Sequence, residues 1–289
     1  ILMTCVQTVV TPLSHHHALV YALVMMKEHG INATGSVCLD GSNAGFFIAL
    51  SPSLSSNWQI HFQGGGWCYT ALDCWARSFT ALGSSKYWSK IAPVPATLPS
   101  MLQVGLEASG LMSTSCDINP SFCLFTKVAI LYCDGFSFAG NRQEPLIIHG
   151  KRLYFRGKRI LSSVLSVLSS RFNLQRARQV MLTGCSAGGL ATLLHADAIH
   201  AQLRMMCSRL SKFVAVPSSG IFPDAPSVLG ERSYAAGMRS AFEISHASAG
   251  INQNCKLAMQ EQDQPEWFCA LGEIAARYVR SPTFILQST

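Results

Sequence analysis

Residues 180–189 decide the fold, and they read Val-Met-Leu-Thr-Gly-Cys-Ser-Ala-Gly-Gly. Gly184, Ser186 and Gly188 form a G-x-S-x-G motif between an apolar run and a run with helical periodicity. This order predicts a strand, a tight turn and a helix. A serine at such a turn is held in a strained backbone conformation in which it can act as a nucleophile, and the flanking glycines avoid steric clashes. The context favours a nucleophilic Ser186 over an ordinary tight turn.

Short apolar runs alternate with helical patterns along the rest of the chain. Apolar residues recur every three or four positions in 161–168 and 190–198, which predicts two helices. Strands alternating with helices favour an α/β fold in which a mostly parallel sheet is flanked by helices. The stretch 83–120 is rich in Ser, Pro and Gly and is predicted to be an irregular insertion. The predicted strands are 58–62, 128–132, 180–183, 213–216 and 283–286.

The N-terminal region gives weaker signals. Residues 18–26 are apolar but shorter than the roughly 20 residues needed to span a bilayer, so we predict a buried helix there. This divides the chain into a lead-in helix and linker, 1–36, and one main domain, 37–289. The chain opens at Ile1 rather than at a methionine, so we expect an upstream segment. The histidines at 15–17 are adjacent and do not converge on one ion, so no metal site is predicted.

The composition is that of a chain with a sizeable core. Of its 289 residues 49% are hydrophobic and 13% are charged, which excludes wholesale disorder. The net charge is +7, and no acidic residue lies between Glu144 and Asp197. A basic face can attract a polyanion, but we favour a solvated helix and loop surface, and no RNA-binding or zinc-finger pattern accompanies the charge. The cations of this run are Lys151, Arg152, Arg156, Lys158, Arg159, Arg171, Arg176 and Arg178.

Eleven cysteines favour an oxidising compartment. Two pairs of cysteines are close enough in sequence to close short loops. Because the total number of cysteines is odd, at least one thiol is free, and Cys185 is the candidate. Asn32 begins an N-glycosylation sequon, Asn-Ala-Thr. Together these features favour secretion. The two cysteine pairs are Cys68 with Cys74 and Cys255 with Cys269.

A glycine-rich segment follows the predicted strand 58–62, and residues 63–68 read Gln-Gly-Gly-Gly-Trp-Cys. A serine hydrolase needs hydrogen-bond donors for the developing oxyanion. The Ala187 N–H, directly after the nucleophile, is one natural donor, and a loop after an earlier strand supplies others. The alternatives are a flexible turn and a phosphate loop, and the phosphate loop is disfavoured because no Gly-Lys-Ser/Thr follows.

The chain contains several short motifs in this order: CLDGS at 38–42, GGGWC at 64–68, YCDG at 132–135, SFAG at 137–140, FRG at 155–157 and GCSAGG at 184–189. Together they closely resemble the plant pectin acetylesterases and, more distantly, the animal Notum carboxylesterases. The resemblance covers roughly residue 37 to the C-terminus. Several motifs in one order identify a family far more specifically than the G-x-S-x-G turn alone, which we call the elbow.

The resemblance implies an α/β-hydrolase-like fold, secretion to the cell wall and removal of acyl groups, with acetyl from pectin as the first candidate. It implies Ser186 as nucleophile and Gly66, Trp67 and Ala187 as the oxyanion hole, with no cofactor. The expected partner is an acetylated polysaccharide or another acyl ester, without nucleic acid and without stable membrane insertion. Two alternatives stay open: a Notum-like carboxylesterase that removes a longer acyl group, and a catalytically inactive fragment that binds glycans.

The chain also departs from the family pattern. Ser218 stands where relatives carry an acidic residue, and Asp224 matches an aspartate that shapes the site rather than acting in the triad. The resemblance implies that the triad aspartate follows the strand at 283–286, with the histidine later still. We therefore expect both to lie beyond Thr289 and the chain Ile1–Thr289 alone to have little esterase activity.

Internal residues are poor substitutes for the missing acid and base. The chain order in this fold is serine, acid, histidine. His195 and Asp197 lie on the helix that leaves the elbow and are too far along its axis to reach Ser186. Nothing around His246 suggests a site, and core or surface roles are expected for His61 and His149.

Overall fold

The computed structural model describes residues 21–26, 35–52, 55–88, 110–226 and 228–288. Its centre is a six-stranded sheet with the strand order β1-β2-β4-β3-β7-β8, and β5 and β6 form a separate hairpin. The strands are β1 (Ala22–Met25), β2 (Gly45–Ala49), β3 (Asn57–Phe62), β4 (Thr126–Ile130), β5 (Leu146–Ile148), β6 (Lys151–Leu153), β7 (Gln179–Cys185) and β8 (Lys212–Ser218).

The large sheet is mostly parallel. Strands β4, β3, β7 and β8 run in one direction, whereas β2 is antiparallel to both of its neighbours, β1 and β4. Thr283 and Leu286 continue the sheet beyond β8 through two isolated parallel bridges, to Ala215 and Ser218. Because parallel strands present their carboxyl ends at one edge, the loops after β3, β7 and β8 meet there.

Six α-helices are present in the described part of the chain. They are α1 (Ala71–Arg77), α2 (Gly157–Phe172), α3 (Ala187–Met206), α4 (Ser233–Ser245), α5 (Gln253–Glu261) and α6 (Gly272–Tyr278). Helix α2 buries the stripe formed by Ile160, Leu161, Val164, Leu165 and Leu168, and it ends at Asn173 in the left-handed conformation. The two predicted helices are confirmed in α2 and α3. None of the helices in the described ranges is long and apolar enough to cross a membrane.

The predicted strands 58–62, 128–132, 180–183 and 213–216 are confirmed in β3, β4, β7 and β8. The segment 283–286 lies beside β8 as predicted but forms only the two bridges. The helix predicted for 18–26 is wrong at 22–25, which form strand β1 and pair with β2 in the main sheet. A short apolar run suits a buried strand as well as a buried helix, so periodicity alone does not separate the two.

Four disulfides are present among the described residues: Cys38–Cys133, Cys68–Cys74, Cys116–Cys123 and Cys255–Cys269. Both predicted pairs are confirmed. The prediction of a free thiol at Cys185 is wrong, because Cys185 is disulfide-bonded. The free cysteine in the described ranges is the buried Cys207, whose Sγ lies 3.2 Å from the Leu174 carbonyl oxygen. The sequon at Asn32 and the histidines 15–17 lie outside the described residues.

Part of the basic run serves the fold. The Arg156 guanidinium is buried and donates to the Gln143 carbonyl oxygen, and Arg159 Nε donates to Asn141 Oδ1 at 3.0 Å. Lys151 Nζ lies 3.5 Å from the centre of the Phe79 ring. These three cations make internal contacts, so this part of the run differs from the solvated surface predicted from the sequence and is not a free polyanion-binding face.

Asp134, in the YCDG motif, is a buried residue whose carboxylate packs against Gly157, the first residue of α2. It accepts hydrogen bonds of 3.3 Å from the N–H groups of Phe136 and Phe138. Burial outweighs these hydrogen bonds and raises the pKa of Asp134 from 3.8 to about 6. The folded protein therefore holds this proton more tightly than the unfolded chain does.

We expect Asp134→Asn to flatten the dependence of stability on pH. The contribution of Asp134 to the free energy of unfolding is full below pH 3.8 and is lost as the pH rises through about 6. A rise in pKa of this size corresponds to about 3 kcal/mol, and an amide of the same shape does not titrate. Urea unfolding between pH 4 and pH 7 measures the effect, with the exposed Asp263→Asn as control. An unchanged pH slope in Asp134→Asn contradicts the assignment.

Candidate active site

Ser186 lies at the turn between β7 and α3, with φ 58° and ψ −123°. Its N–H donates to the Ser218 carbonyl oxygen at 3.0 Å, which ties the turn to the end of β8. A residue with a Cβ at such a φ is strained and persists only where the surroundings fix it. The strand, turn and helix predicted from the G-x-S-x-G motif are confirmed here, and Ser186 holds the conformation expected of a nucleophile at an elbow.

The motif glycines allow backbone to pack directly on backbone. A Cβ on Gly184 would come within 3.0 Å of the Gly188 carbonyl oxygen, closer than real Cβ atoms approach. A Cβ on Gly188 would collide in the same way with the carbonyl oxygen of Phe62, the last residue of β3. The elbow, the first turn of α3 and the end of β3 are therefore in contact through their main chains.

The glycine loop, Gly64 to Gly66, lies beside the nucleophile. A Cβ on Gly64 would stand 3.3 Å from Ser186 Cβ. Gly65 and Gly66 have φ values of 139° and 65°, which favour glycine. Arg77 Nη2 donates to the Gly65 carbonyl oxygen at 2.8 Å, and the Tyr132 hydroxyl donates to the Gly66 carbonyl oxygen at 2.9 Å. These two contacts fix the orientation of the peptide units in the loop.

The backbone N–H groups of Gly66, Trp67 and Ala187 make no hydrogen bond among the described residues, and the same holds for Gly64 and Gly65 in the glycine loop. The Ala187 N–H is free because the first N–H groups of a helix have no intrahelical acceptor, and the N-terminus of α3 adds partial positive charge. The three residues predicted for the oxyanion hole therefore belong to the two segments that meet at Ser186.

Ser137 connects these two segments. Trp67 Nε1 donates to Ser137 Oγ at 2.7 Å, and Ser137 Oγ donates to the Ala187 carbonyl oxygen at 2.8 Å. The Ser137 N–H in turn donates to the Tyr132 hydroxyl at 3.0 Å. Each hydroxyl accepts one hydrogen bond and donates another, so the network is satisfied and holds the loop and the helix in register.

Helix α1 supports the glycine loop from outside. The disulfide Cys68–Cys74 joins the end of the loop to α1, and Arg77 in the last turn donates to the loop carbonyl. The Arg77 guanidinium also lies 5.1 Å from the centre of the Tyr132 ring, a cation–π distance. The predicted disulfide thus anchors the segment that carries Gly66 and Trp67.

Aromatic rings stand next to the glycine loop. The Trp67 ring is 5.0 Å from Phe222, 6.1 Å from Tyr234 and 6.4 Å from Tyr69, measured between ring centres. Phe222 lies on the loop after β8, and Tyr234 lies in the first turn of α4. We call these four residues the aromatic wall. Sequence reasoning missed Phe222 and Tyr234, although the carboxyl end of a parallel strand, where Phe222 lies, is a usual place for ligand contacts.

The two candidates on α3 have structural roles. His195 is buried against the Phe62 ring and its Nε2 lies 3.1 Å from the Ser137 carbonyl oxygen. Burial lowers the pKa of His195 to about 4, so it is neutral at pH 7. The Asp197 carboxylate accepts hydrogen bonds from the side chain of Asn252 and the N–H groups of Arg280 and Ser281. It therefore ties the chain before the segment 283–286 to α3.

The remaining histidines are also engaged elsewhere. His61 Nδ1 lies 2.9 Å from Thr183 Oγ1, and burial lowers the pKa of His61 to about 4. His246 Nε2 lies 3.0 Å from the Arg142 guanidinium, and both partial burial and that charge lower the pKa of His246. His149 packs on Trp75, and His200 stacks on Phe213. None of the five histidines in the described ranges is hydrogen-bonded to Ser186.

The fold and the elbow together define an α/β-hydrolase-like protein. The model of the pectinacetylesterase family matches residues 15–289, and the chain belongs to this family. It is 34% identical over 267 residues to pectin acetylesterase 5 of Arabidopsis thaliana, an alignment that covers 92% of this chain and 57% of that protein. It is 29% identical to the palmitoleoyl-protein carboxylesterase NOTUM of Schmidtea mediterranea, over 94% of this chain and 49% of that protein. The chain thus spans about half the length of these relatives.

A solved structure agrees with the fold. The structure of the Wnt deacylase Notum from Drosophila superposes with a TM-score of 0.72 at 24% sequence identity. The match covers 94% of this chain and 71% of that one. The expected α/β-hydrolase-like architecture, a mostly parallel sheet flanked by helices, is confirmed.

Proposed function

We propose that the protein is a serine carboxylesterase that removes acetyl groups from a cell-wall polysaccharide such as pectin. Membership of the pectinacetylesterase family and the name of its Arabidopsis relative support this activity. One structural observation carries the assignment to a site: Ser186 is held in a strained conformation in backbone contact with the glycine loop. An ordinary tight turn does not require a strained serine packed against a glycine loop.

The mechanism follows from the geometry. Ser186 Oγ attacks the ester carbonyl carbon, and the N–H groups of Gly66, Trp67 and Ala187 stabilise the oxyanion as charge develops on the carbonyl oxygen. The alcohol leaves as the acyl-enzyme forms. Water then attacks the acyl carbonyl carbon, the bond to Ser186 Oγ breaks, and the carboxylic acid and the free serine hydroxyl are released. The attack requires a general base, and we assign none among the described residues because their histidines are held in other contacts.

We further propose that residues 37–289 carry the esterase site and that the protein is extracellular, in the cell wall. Four disulfides in the described ranges support an oxidising compartment. Glycosylation at Asn32 would accompany secretion.

A Notum-like activity on a longer acyl group is the second candidate. The same elbow and glycine loop would serve any ester, and the aromatic wall offers apolar surface to a hydrocarbon chain. The relative from Schmidtea mediterranea is named for a palmitoleoyl substrate. The two candidates therefore differ in the acyl group and share the chemistry.

The test uses the protein expressed from its complete coding sequence. We expect release of acetate from acetylated pectin, faster hydrolysis of an acetyl ester than of a long-chain acyl ester, and labelling of Ser186 by a fluorophosphonate probe. Hydrolysis of the long-chain ester alone would favour the Notum-like candidate. Binding of pectin without hydrolysis or labelling would identify the inactive glycan-binding alternative.

A further inference from the structure

Two buried polar atoms beside the aromatic wall have no hydrogen-bond partner among the residues that the structure describes. They are the hydroxyl of Tyr234 and Oδ1 of Asp224. Buried polar groups in folded proteins are nearly always paired, and an unpaired group calls for a reason such as a missing ligand. These two differ chemically, because the phenol offers a proton and the carboxylate oxygen accepts one.

Both groups belong to segments that pack against Trp67 or against helix α3. The Tyr234 ring centre lies 5.9 Å from that of Phe222 and 6.1 Å from that of Trp67, the residue whose N–H is assigned to the oxyanion hole. Asp224 follows Phe222 by two residues on the loop that leaves β8. That loop packs on the elbow helix, where a Cβ on Gly189 would collide with Gly220.

Their surroundings leave the Tyr234 phenol as a donor and one oxygen of Asp224 as an acceptor. Burial, reinforced by the charges of Tyr69, Glu273 and Asp224, raises the pKa of Tyr234, so the phenol keeps its proton at neutral pH. The Arg232 guanidinium donates to Asp224 Oδ2 at 3.2 Å and leaves Oδ1 open. The Asp224 charge is among those that raise the pKa of Tyr234, so the donor and the acceptor lie within electrostatic range of each other.

We propose that Tyr234 and Asp224 form a subsite for the hydroxyl groups of the sugar ring that bears the ester. A sugar hydroxyl can accept from the Tyr234 phenol while it or its neighbour donates to Asp224 Oδ1. This inference rests on the proposed function and extends it, because it assigns residues that distinguish a carbohydrate ester from a fatty acyl ester.

The physical basis is the cost of leaving buried polar groups unpaired. A sugar with hydroxyls at this position satisfies both atoms, whereas a hydrocarbon chain lying against the wall leaves both without partners. A site built to hydrogen-bond a hydroxyl rejects a ligand that lacks it far more strongly than an apolar pocket rejects an extra methylene. The subsite therefore favours a hydroxylated substrate despite the aromatic surface around it.

Tyr234→Phe tests the subsite by removing one oxygen atom. Binding is measured by calorimetry in the protein expressed from its complete coding sequence, in a Ser186→Ala background that prevents turnover. The ligands are an acetylated galacturonate oligosaccharide and p-nitrophenyl octanoate. We expect Tyr234→Phe to weaken oligosaccharide binding about fivefold to tenfold and to leave octanoate-ester binding unchanged or tighter. The control is Tyr278→Phe, whose exposed hydroxyl already has a partner because it accepts from Gln262 at 3.3 Å.

A thermal melt separates recognition from a structural role. Removing an unpaired buried hydroxyl is expected to leave Tm unchanged or raise it, whereas a hydroxyl that supports the fold would lower Tm when deleted. Unchanged oligosaccharide affinity in Tyr234→Phe, or equal loss for both ligands, overturns the subsite. Acetate release by the wild type with no effect of Tyr234→Phe removes this inference alone. If Tyr234→Phe weakens sugar binding but the wild type releases no acetate, the proposed esterase activity is contradicted and the subsite is supported.

Discussion

Ser186→Ala is expected to lower kcat/KM for an acetyl ester by about 10⁴-fold or more. Without the hydroxyl no acyl-enzyme forms, and the oxyanion hole supplies only residual stabilisation. Alanine keeps the Cβ that the elbow already accommodates at φ 58°, so the fold is retained. Initial rates of the protein expressed from its complete coding sequence measure the effect, together with fluorophosphonate labelling.

The control for this experiment is Ser162→Ala. Ser162 is exposed on α2, where its hydroxyl donates to the Lys158 carbonyl oxygen at 3.0 Å, and its loss is expected to leave the rate unchanged. Full activity and labelling in Ser186→Ala would show that another residue is the nucleophile.

Gly188→Ala is expected to prevent folding or to lower the free energy of unfolding by more than about 4 kcal/mol. Alanine normally stabilises a helix relative to glycine. Here its Cβ would meet the Phe62 carbonyl oxygen, which belongs to the central strand β3 and cannot move aside as a flexible side chain would. Urea unfolding and the soluble yield measure the loss.

Gly150→Ala is the matched control for Gly188→Ala. Gly150 has φ 75° but no atom within 4 Å of a built Cβ, so only the backbone conformation opposes the substitution. We expect a cost of about 1 kcal/mol there. Equal stability of Gly188→Ala and the wild type would show that the elbow does not pack on β3 as described.

The sequence predicts the region around the nucleophile well because its signals are local. The strand, the turn and the helix at 180–198 follow each other directly, and each has a distinct periodicity or glycine pattern. The glycine loop after β3 is readable for the same reason. Strand β1 is different, because four apolar residues carry too little periodicity to separate strand from helix.

Other features depend on contacts between distant segments. Tyr234 packs near Trp67 although the two are more than 160 positions apart in the sequence, and no local pattern at either residue predicts the contact. The pairing state of Cys185 is set by distance in space, so its place inside the nucleophile motif does not predict that state. The cations near α2 form one run in the sequence. In the structure Arg156 donates to the Gln143 carbonyl oxygen and Arg159 donates to Asn141 Oδ1.

Trp67 has a consequence for how a protein with the proposed activity can diverge. Its main-chain N–H is assigned to the oxyanion hole, and that donor is inherited with the backbone whatever side chain position 67 carries. Its indole, however, donates to Ser137, which in turn donates to Ala187, so a side chain without a comparable donor removes this hydrogen-bonded link between the two segments. The side chains of Phe222 and Tyr234 make no comparable hydrogen bond to the glycine loop among the described residues. A lineage can therefore drift to new ester substrates through positions 222 and 234 while position 67 stays fixed.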